Sequence, residues 1–391
     1  MIYDNIIIGA GISGLYTGYK IKKLYPNETL LILESNNKIG GRMGAVKFHD
    51  TNVLIGAGIG RFDKDIRLKK LLNELNISYN KFTINMQFSP VFKNHIDIIQ
   101  TIKFLKREYK KDKQNTTFKL FALSKLKKKI YKNFIQSVGL TDYEKEDIYE
   151  TLYNYGMEDN TSGWTGMSID WNILLDKLAQ YINIKNIKLN SFVKKINKDN
   201  NLINIKINKD IEYNCKKLYI ATDIKTVQHI LKDYPIYKEI HGQPFIRIYA
   251  KFSNESLEIM KKYVNKTTFV NTDLYKIIPI NNGVYMIAYS DNKSANNIKK
   301  IVDNDKKYKN LLNLVKKSLG INENLIIDDI ITFYWKIGTH YYEPLNDNFK
   351  TRKIFIKKAQ KPEKNLFIVG ELISTNQGWT EGALESVDNI L

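Results

Sequence analysis

The stretch "IYDNIIIGAGISGLY", residues 2–16, decides how the chain folds. A short β-branched run over 2–8 is followed at once by Gly9-Ala-Gly11-Ile-Ser-Gly14 and then by an amphipathic segment from Leu15 to about Tyr25. Strand, tight glycine turn and helix in that order predict a dinucleotide-binding unit. Gly9 makes the turn, Gly11 leaves room for a pyrophosphate against the backbone, and Gly14 lets helix and strand pack closely. The phosphates then meet free N–H groups at a helix N-terminus, where the macrodipole favours anions. Glycine turns of this spacing also arise by chance, so the context matters. A second strand, "TLLILE" at 29–34, ends on Glu34, 20 residues after Gly14. An acid there accepts hydrogen bonds from ribose hydroxyls and argues against a 2′-phosphate.

Directly after that strand, "NNKIGGRMGAVKF" at 36–48 carries Gly40-Gly41-Arg42, a turn outside the minimal NAD fingerprint. Three more segments follow in order. They are Trp164-Thr-Gly166-Met167-Ser168 with the helical run 171–182, "KLYIATD" at 217–223, and "NLFIVGELISTNQGWTEGALES" at 365–386. On these segments the chain resembles the flavin-containing amine oxidase family. The resemblance implies FAD as the cofactor. It implies an α/β fold in which a Rossmann-like FAD-binding domain with a parallel sheet carries an inserted α+β substrate-binding domain. The cofactor contacts it implies are Gly9, Gly11, Gly14, Glu34, Gly41, Arg42, Val193 in "SFVKKI", Glu371, Trp379 and Thr380. Val193 supports the adenine through its backbone and Glu371 meets the ribitol and phosphates. The helix opening at Thr380 and Glu381 directs its N-terminus at the pyrimidine edge of the flavin, where reduced flavin carries negative charge.

The substrate end is read from the same resemblance. Trp379 stands beside the flavin ring as a wall. In "FYWKIGTHYYEPL" at 333–345, which includes Trp335 and His340, either Tyr341 or Tyr342 supplies a second wall. Many relatives carry a lysine on the strand matching "PFIRIYAKF", and here the residue in its place is Arg247. Guanidinium stays protonated and planar, unlike an ammonium whose pKa shifts in a dry pocket. Arg247 then binds an anionic substrate group, or Lys251 four residues on is the working base, or Arg247 is structural. Arg61 in "IGAGIGRF" at 55–62 is a candidate clamp for a substrate carboxylate, with a flavin-phosphate contact or a surface role as the alternatives.

The expected FAD-binding domain is discontinuous, built from 1–65, 160–235 and 350–391. The substrate-binding domain takes 66–159, mainly helical and basic, and 236–349, which opens with strands such as "FIRIYAKF". Helical periodicity with interleaved lysines marks 66–77 and 124–138.

Among 391 residues, 61 Lys and Arg against 41 Asp and Glu give a net charge of +20. Such a surface attracts nucleic acid or anionic lipid, but Lys, Asn and Ile abound throughout, as an AT-rich coding sequence produces, and no nucleic-acid motif accompanies the basic runs at 103–114 and 125–132. The lone Cys215 excludes an internal disulfide and a cysteine metal cluster, so a reducing compartment is expected, and no metal site is read. With no apolar run of spanning length and no basic leader, the chain is expected to be soluble. The resulting reading is an FAD-dependent oxidoreductase resembling amine oxidases, with a hydride passing from an amine or amino-acid carbon to flavin N5 and dioxygen reoxidising the flavin to give hydrogen peroxide. The substrate is a small amine, amino acid, or other anionic or zwitterionic molecule; homodimerisation is left open. The alternatives are a flavin desaturase or dehydrogenase of a lipid-like substrate, and a basic flavoprotein that binds nucleic acid with little catalysis.

Overall fold

A computed structural model describes residues 2–111, 113–199, 202–304 and 308–391. Asp112, within one of the basic runs, lies outside these residues.

Strand Ile2–Ile8 sits at the centre of a seven-stranded sheet, parallel to Leu30–Leu33 on one side and to Glu212–Ile220 on the other. Its alternate side chains enter different cores. Ile6 and Ile8 join a cluster with Leu218, Phe355 and Leu366, while Ile7 joins Leu15, Trp171 and Leu174. A strand covered on both faces is apolar along its length, which is why 6–8 is an unbroken isoleucine run. Strand Glu212–Ile220 pairs antiparallel with Leu202–Ile207 along its first half and parallel with the late strand Leu366–Ile368 along its second. The end of the chain is thereby returned beside its beginning. Helices Ile12–Leu24, Trp171–Ile182 and Thr380–Asp388 cover one face.

Six strands form the second sheet, in which Ile240–Phe252 pairs antiparallel with Ile327–Tyr342 and with Val284–Asp291. Period-two alternation in Ile240–Phe252 sorts its residues. Ile246, Ile248, Ala250 and Phe252 pack under the helices of the outer face, leaving Phe245, Arg247 and Tyr249 on the face turned toward the first sheet's edge. A lobe of short helices over residues 98–153 closes around Phe118, Phe121, Phe134 and Tyr143. In helices Ile98–Lys111 and Lys128–Val138 the apolar stripe faces this core, and Lys103, Lys110, Lys128 and Lys132 remain exposed.

The inserted region is less uniform than expected from periodicity. Helix Ile66–Glu74 packs Leu68, Leu71 and Leu72 into the same core as Ile7 and Leu15, and strand Tyr79–Thr83 pairs with Thr165–Ile169. Both lie with the first sheet rather than with the helical lobe, because the apolar stripe of 66–74 has the closing helix as its neighbour. Strand Met86–Phe88 joins the edge of the second sheet. The fold is the expected α/β arrangement, a parallel Rossmann-like sheet with an α+β region set against it.

Candidate active site

A cavity of about 1340 Å³ runs between the two sheets. Its lining includes Gly9, Gly11, Glu34 and Val193, together with Gly41, Arg42, Glu371 and Thr380, and from the six-stranded sheet Arg247, Tyr289 and Trp335. This exceeds the roughly 300–1,000 Å³ of a drug-sized pocket and suits a dinucleotide together with a small substrate.

The glycine turn has the geometry its sequence requires. Gly9 has φ +102°, and a Cβ there would fall 2.4 Å from the carbonyl oxygen of Ala221. A Cβ on Gly14 would fall 1.9 Å from the Gly9 oxygen, so helix and turn are in direct backbone contact. Gly11 differs: the nearest atom to its Cβ position is the Gly40 oxygen, 4.0 Å away, which leaves the backbone open to a ligand. No side chain caps the helix that begins at Ile12, and its first turn holds no acid. An anion is the natural partner for those N–H groups. The Glu34 carboxylate is fixed by the Ala10 and Asn36 amides, both at 2.8 Å, with lone pairs left for hydroxyl donors. These residues fit FAD.

The turn Gly40-Gly41-Arg42 lies against the first one, with Gly40 bridged to Gly11. Arg42 Nη1 donates to Glu371 Oε1 at 2.7 Å and to the Gly338 carbonyl at 2.8 Å. Glu371 also accepts from the Gly378 amide at 3.0 Å and from His340 Nδ1. His340 Nε2 accepts from the Ile224 amide at 3.2 Å, so this ring is a brace between the sheets. Burial opposes ionisation of Glu371, but His340, Arg42 and the Gly378 amide hold its carboxyl well below the usual range. Its contribution to stability is therefore present above the ordinary glutamate pKa and lost as pH falls through the lowered folded value. Glu371→Gln should cost about 2–3 kcal/mol at pH 7, with the deficit shrinking below about pH 4. Urea denaturation of both proteins at pH 7 and at about pH 3 measures this; an equal deficit at the two values would refute it.

The closing helix Thr380–Asp388 starts at the cavity with Trp379 at its N-cap and no side-chain cap of its own. Glu381, in its first turn, points away. Its carboxylate accepts from the amides of Arg67 and Leu68 at 3.0 and 3.1 Å and so caps helix Ile66–Glu74 instead. The closing N-terminus keeps its positive end toward the cavity.

Three ring donors hold the segment 54–58 that borders the cavity. Tyr249 Oη donates to the Leu54 carbonyl at 2.8 Å, Trp335 Nε1 to Ile55 at 2.9 Å, and Trp171 Nε1 to Gly58 at 2.9 Å.

Several expected substrate residues need correction. Arg61 does not line the cavity. It is buried, its guanidinium bonded to Asp65 through Nε at 2.9 Å and Nη2 at 2.7 Å and to Asp159 through Nη1 at 3.1 Å. With its donors occupied by two carboxylates it is no carboxylate clamp; its plane lies 3.8 Å from the Trp379 ring centre and supports that ring from behind. Tyr341 and Tyr342 are not cavity walls either. Trp335, Ile337 and Thr339 line the cavity from that strand, and Tyr341 lies beyond its edge, stacked on His241. Tyr342 faces the opposite way, against Phe355 and Arg352. The wall from this strand is Trp335. Lys251 shares the face of Arg247 but lies past the cavity, its ammonium on the Asn282 carbonyl. Arg247, Trp379, Val193 and the remaining expected cofactor residues, apart from the packed Gly14, do line the cavity.

Sequence reasoning passed over Lys276, Tyr289, Asn160 and Asp142, all in the cavity wall. A single lysine inside the apolar run "LYKIIPI" was the available signal.

Comparison with known proteins agrees with this geometry. Residues 7–75 match the model of the NAD(P)-binding Rossmann-like domain. Over 99% of this chain, an uncharacterized protein of Acanthamoeba polyphaga mimivirus is 21% identical, with 93% of that protein covered. Among solved structures, the wild-type putrescine oxidase bound to putrescine superposes with a TM-score of 0.77 at 12% identity, covering 100% of this chain and 98% of that one. A triple mutant of putrescine oxidase gives the same TM-score over 99% and 97%. The chain thus has an amine oxidase-like fold built on a Rossmann-like dinucleotide-binding domain. Its overall architecture is that of the putrescine oxidase structures.

Proposed function

We propose that this chain is an FAD-dependent oxidoreductase of the amine oxidase type. The bound FAD would supply the acceptor for a hydride from a carbon bearing an amine, with dioxygen taking the electrons and leaving as hydrogen peroxide. The observation that carries this reading is one continuous cavity joining a pyrophosphate cradle to an aromatic and cationic chamber. The residues around the parallel sheet hold the cofactor. The six-stranded sheet and the helical lobe hold the substrate.

Glu34 accepts from the ribose hydroxyls and the open backbone at Gly11 receives the pyrophosphate. Arg42, fixed by Glu371, adds a cation near the same groups. The uncapped N-terminus at Thr380 favours negative charge as electrons arrive. Trp379 and Trp335 flank the chamber, orient the donor carbon and exclude water.

Purified protein should be yellow and should bleach near about 450 nm on anaerobic mixing with its amine or amino-acid substrate, the colour returning with air. Protein that stays colourless after incubation with FAD would sink the proposal. Yellow protein reduced only by substrates lacking nitrogen would favour the desaturase alternative.

A further inference from the structure

The cavity wall beside Tyr289 gathers two cations, Arg247 and Lys276. Arg247 is 8% exposed and lines the cavity, and none of the ion pairs among the described residues includes it. Its guanidinium lies 4.7 Å from the ring centre of Tyr289. Lys276, 6% exposed, brings its ammonium to 5.4 Å from the same ring and donates to Asn160 Oδ1 at 3.0 Å. A buried cation without a carboxylate partner is costly, and two beside one ring repel each other.

The nearest compensation is incomplete. Asp142, between the short helices, accepts from Tyr155 Oη at 2.5 Å. Asp291, at the end of Val284–Asp291, accepts from the amide and hydroxyl of Thr141, both at 2.7 Å. Neither carboxylate is ion-paired with Arg247 or Lys276. Burial and the neighbouring Asp142 push Asp291 up, and burial pushes Asp142 up as well, so this acid pair offsets the two cations only in part. Two buried cations without an ion pair among the described residues leave a positive surplus that an anionic group entering the cavity would offset. Tyr289 and Tyr249 lie beside Arg247, and the group beside Lys276 is the amide of Asn160.

We propose that Arg247 and Lys276 form a subsite for a substrate carboxylate in the cavity wall beside Tyr289, so that the substrate is an amine that also carries a carboxylate. The inference rests on the oxidoreductase reading for the meaning of "substrate". The planar guanidinium offers the carboxylate a two-pronged contact and the ammonium a point charge. A diamine would bring its second ammonium toward two fixed cations. Burial lowers Lys276 to about 8, so carboxylate affinity should fall as pH rises through that value, with Arg247 retaining the remainder.

The test uses purified holoprotein titrated with benzoate and acetate against the neutral benzamide and acetamide, read by thermal shift and by the flavin difference spectrum. The carboxylates should bind at least about tenfold more tightly than the amides at pH 7. Arg247→Met should abolish that preference, while Lys276→Met should weaken it by about tenfold. Exchange of an unpaired buried charge for a methionine keeps the protein folded, which its own melting curve checks. Equal affinities for acid and amide, no carboxylate binding, or an Arg247→Met variant with unaltered preference would each overturn the subsite. Thermal shift also reads carboxylate binding on protein that holds no flavin, so the subsite and the cofactor reading fail separately.

Discussion

Gly14→Ala should give a protein that purifies without flavin and unfolds far more easily than the parent. Its Cβ would lie 1.9 Å from the oxygen and 3.0 Å from the carbon of Gly9, and 3.4 Å from Ala221 Cβ. The first two are backbone atoms, so no rotamer change relieves the clash. The helix Ile12–Leu24 must lift from the sheet, and its N-terminal amides then leave the position opposite Gly11. We expect a loss above about 4 kcal/mol, at the exceptional end for a single substitution. Gly11→Ala supplies the contrast. Its Cβ meets nothing closer than 4.0 Å, so the fold should survive while flavin binding is lost to a methyl group in the pyrophosphate path. Melting curves and flavin-to-protein absorbance ratios of the two variants separate packing from ligand approach. A Gly14→Ala protein that remains yellow and as stable as the parent would contradict the cradle geometry.

Arg61→Met should cost about 3–5 kcal/mol, because Asp65 would be left as a buried carboxylate without its cation and Asp159 with Lys64 alone. Both acids are nearly inaccessible, with side chains 2% and 6% exposed. The same change removes the guanidinium from behind Trp379, a contact worth about 0.5–2 kcal/mol in its own right. Arg61→Lys should rescue little, since one ammonium cannot bond both carboxylates and also lie flat on the indole. Denaturant midpoints for the three proteins decide this. A methionine variant within about 1 kcal/mol of the parent would show that Arg61 is not the support we describe.

How far the sequence went differs from residue to residue. Gly9, Gly11 and Gly14 carried their roles in their spacing, because the absence of a Cβ is a local property with a local consequence. Glu34 was readable from its place at the end of a strand. Arg247 was placed by its match to the family's lysine-bearing strand, and the packing of Ile246 and Ile248 under the outer helices agrees with that place. Arg61 was misread for the opposite reason. Nothing local to "GIGRF" reveals that Asp159, 98 residues away, occupies the guanidinium. Tyr341 and Tyr342 were misread because aromatic content marks a strand as buried without saying where along it a cavity ends.

The family resemblance implied the return of the C-terminal segment; from its residues alone, this chain specified a strand, a glycine turn and a helix of dinucleotide-binding type. Those features depend on backbone freedom and on apolar periodicity, both written in consecutive residues. Only the tertiary structure decided which charges are paired and which are left facing the cavity. Arg61 and Arg247 are the same side chain, both buried, and one is neutralised by nearby Asp65 together with distant Asp159 while the other has no ion pair among the described residues. The difference arises because charge pairing depends on distances through space between segments far apart in the chain, and such distances exist only once the sheets and helices have packed.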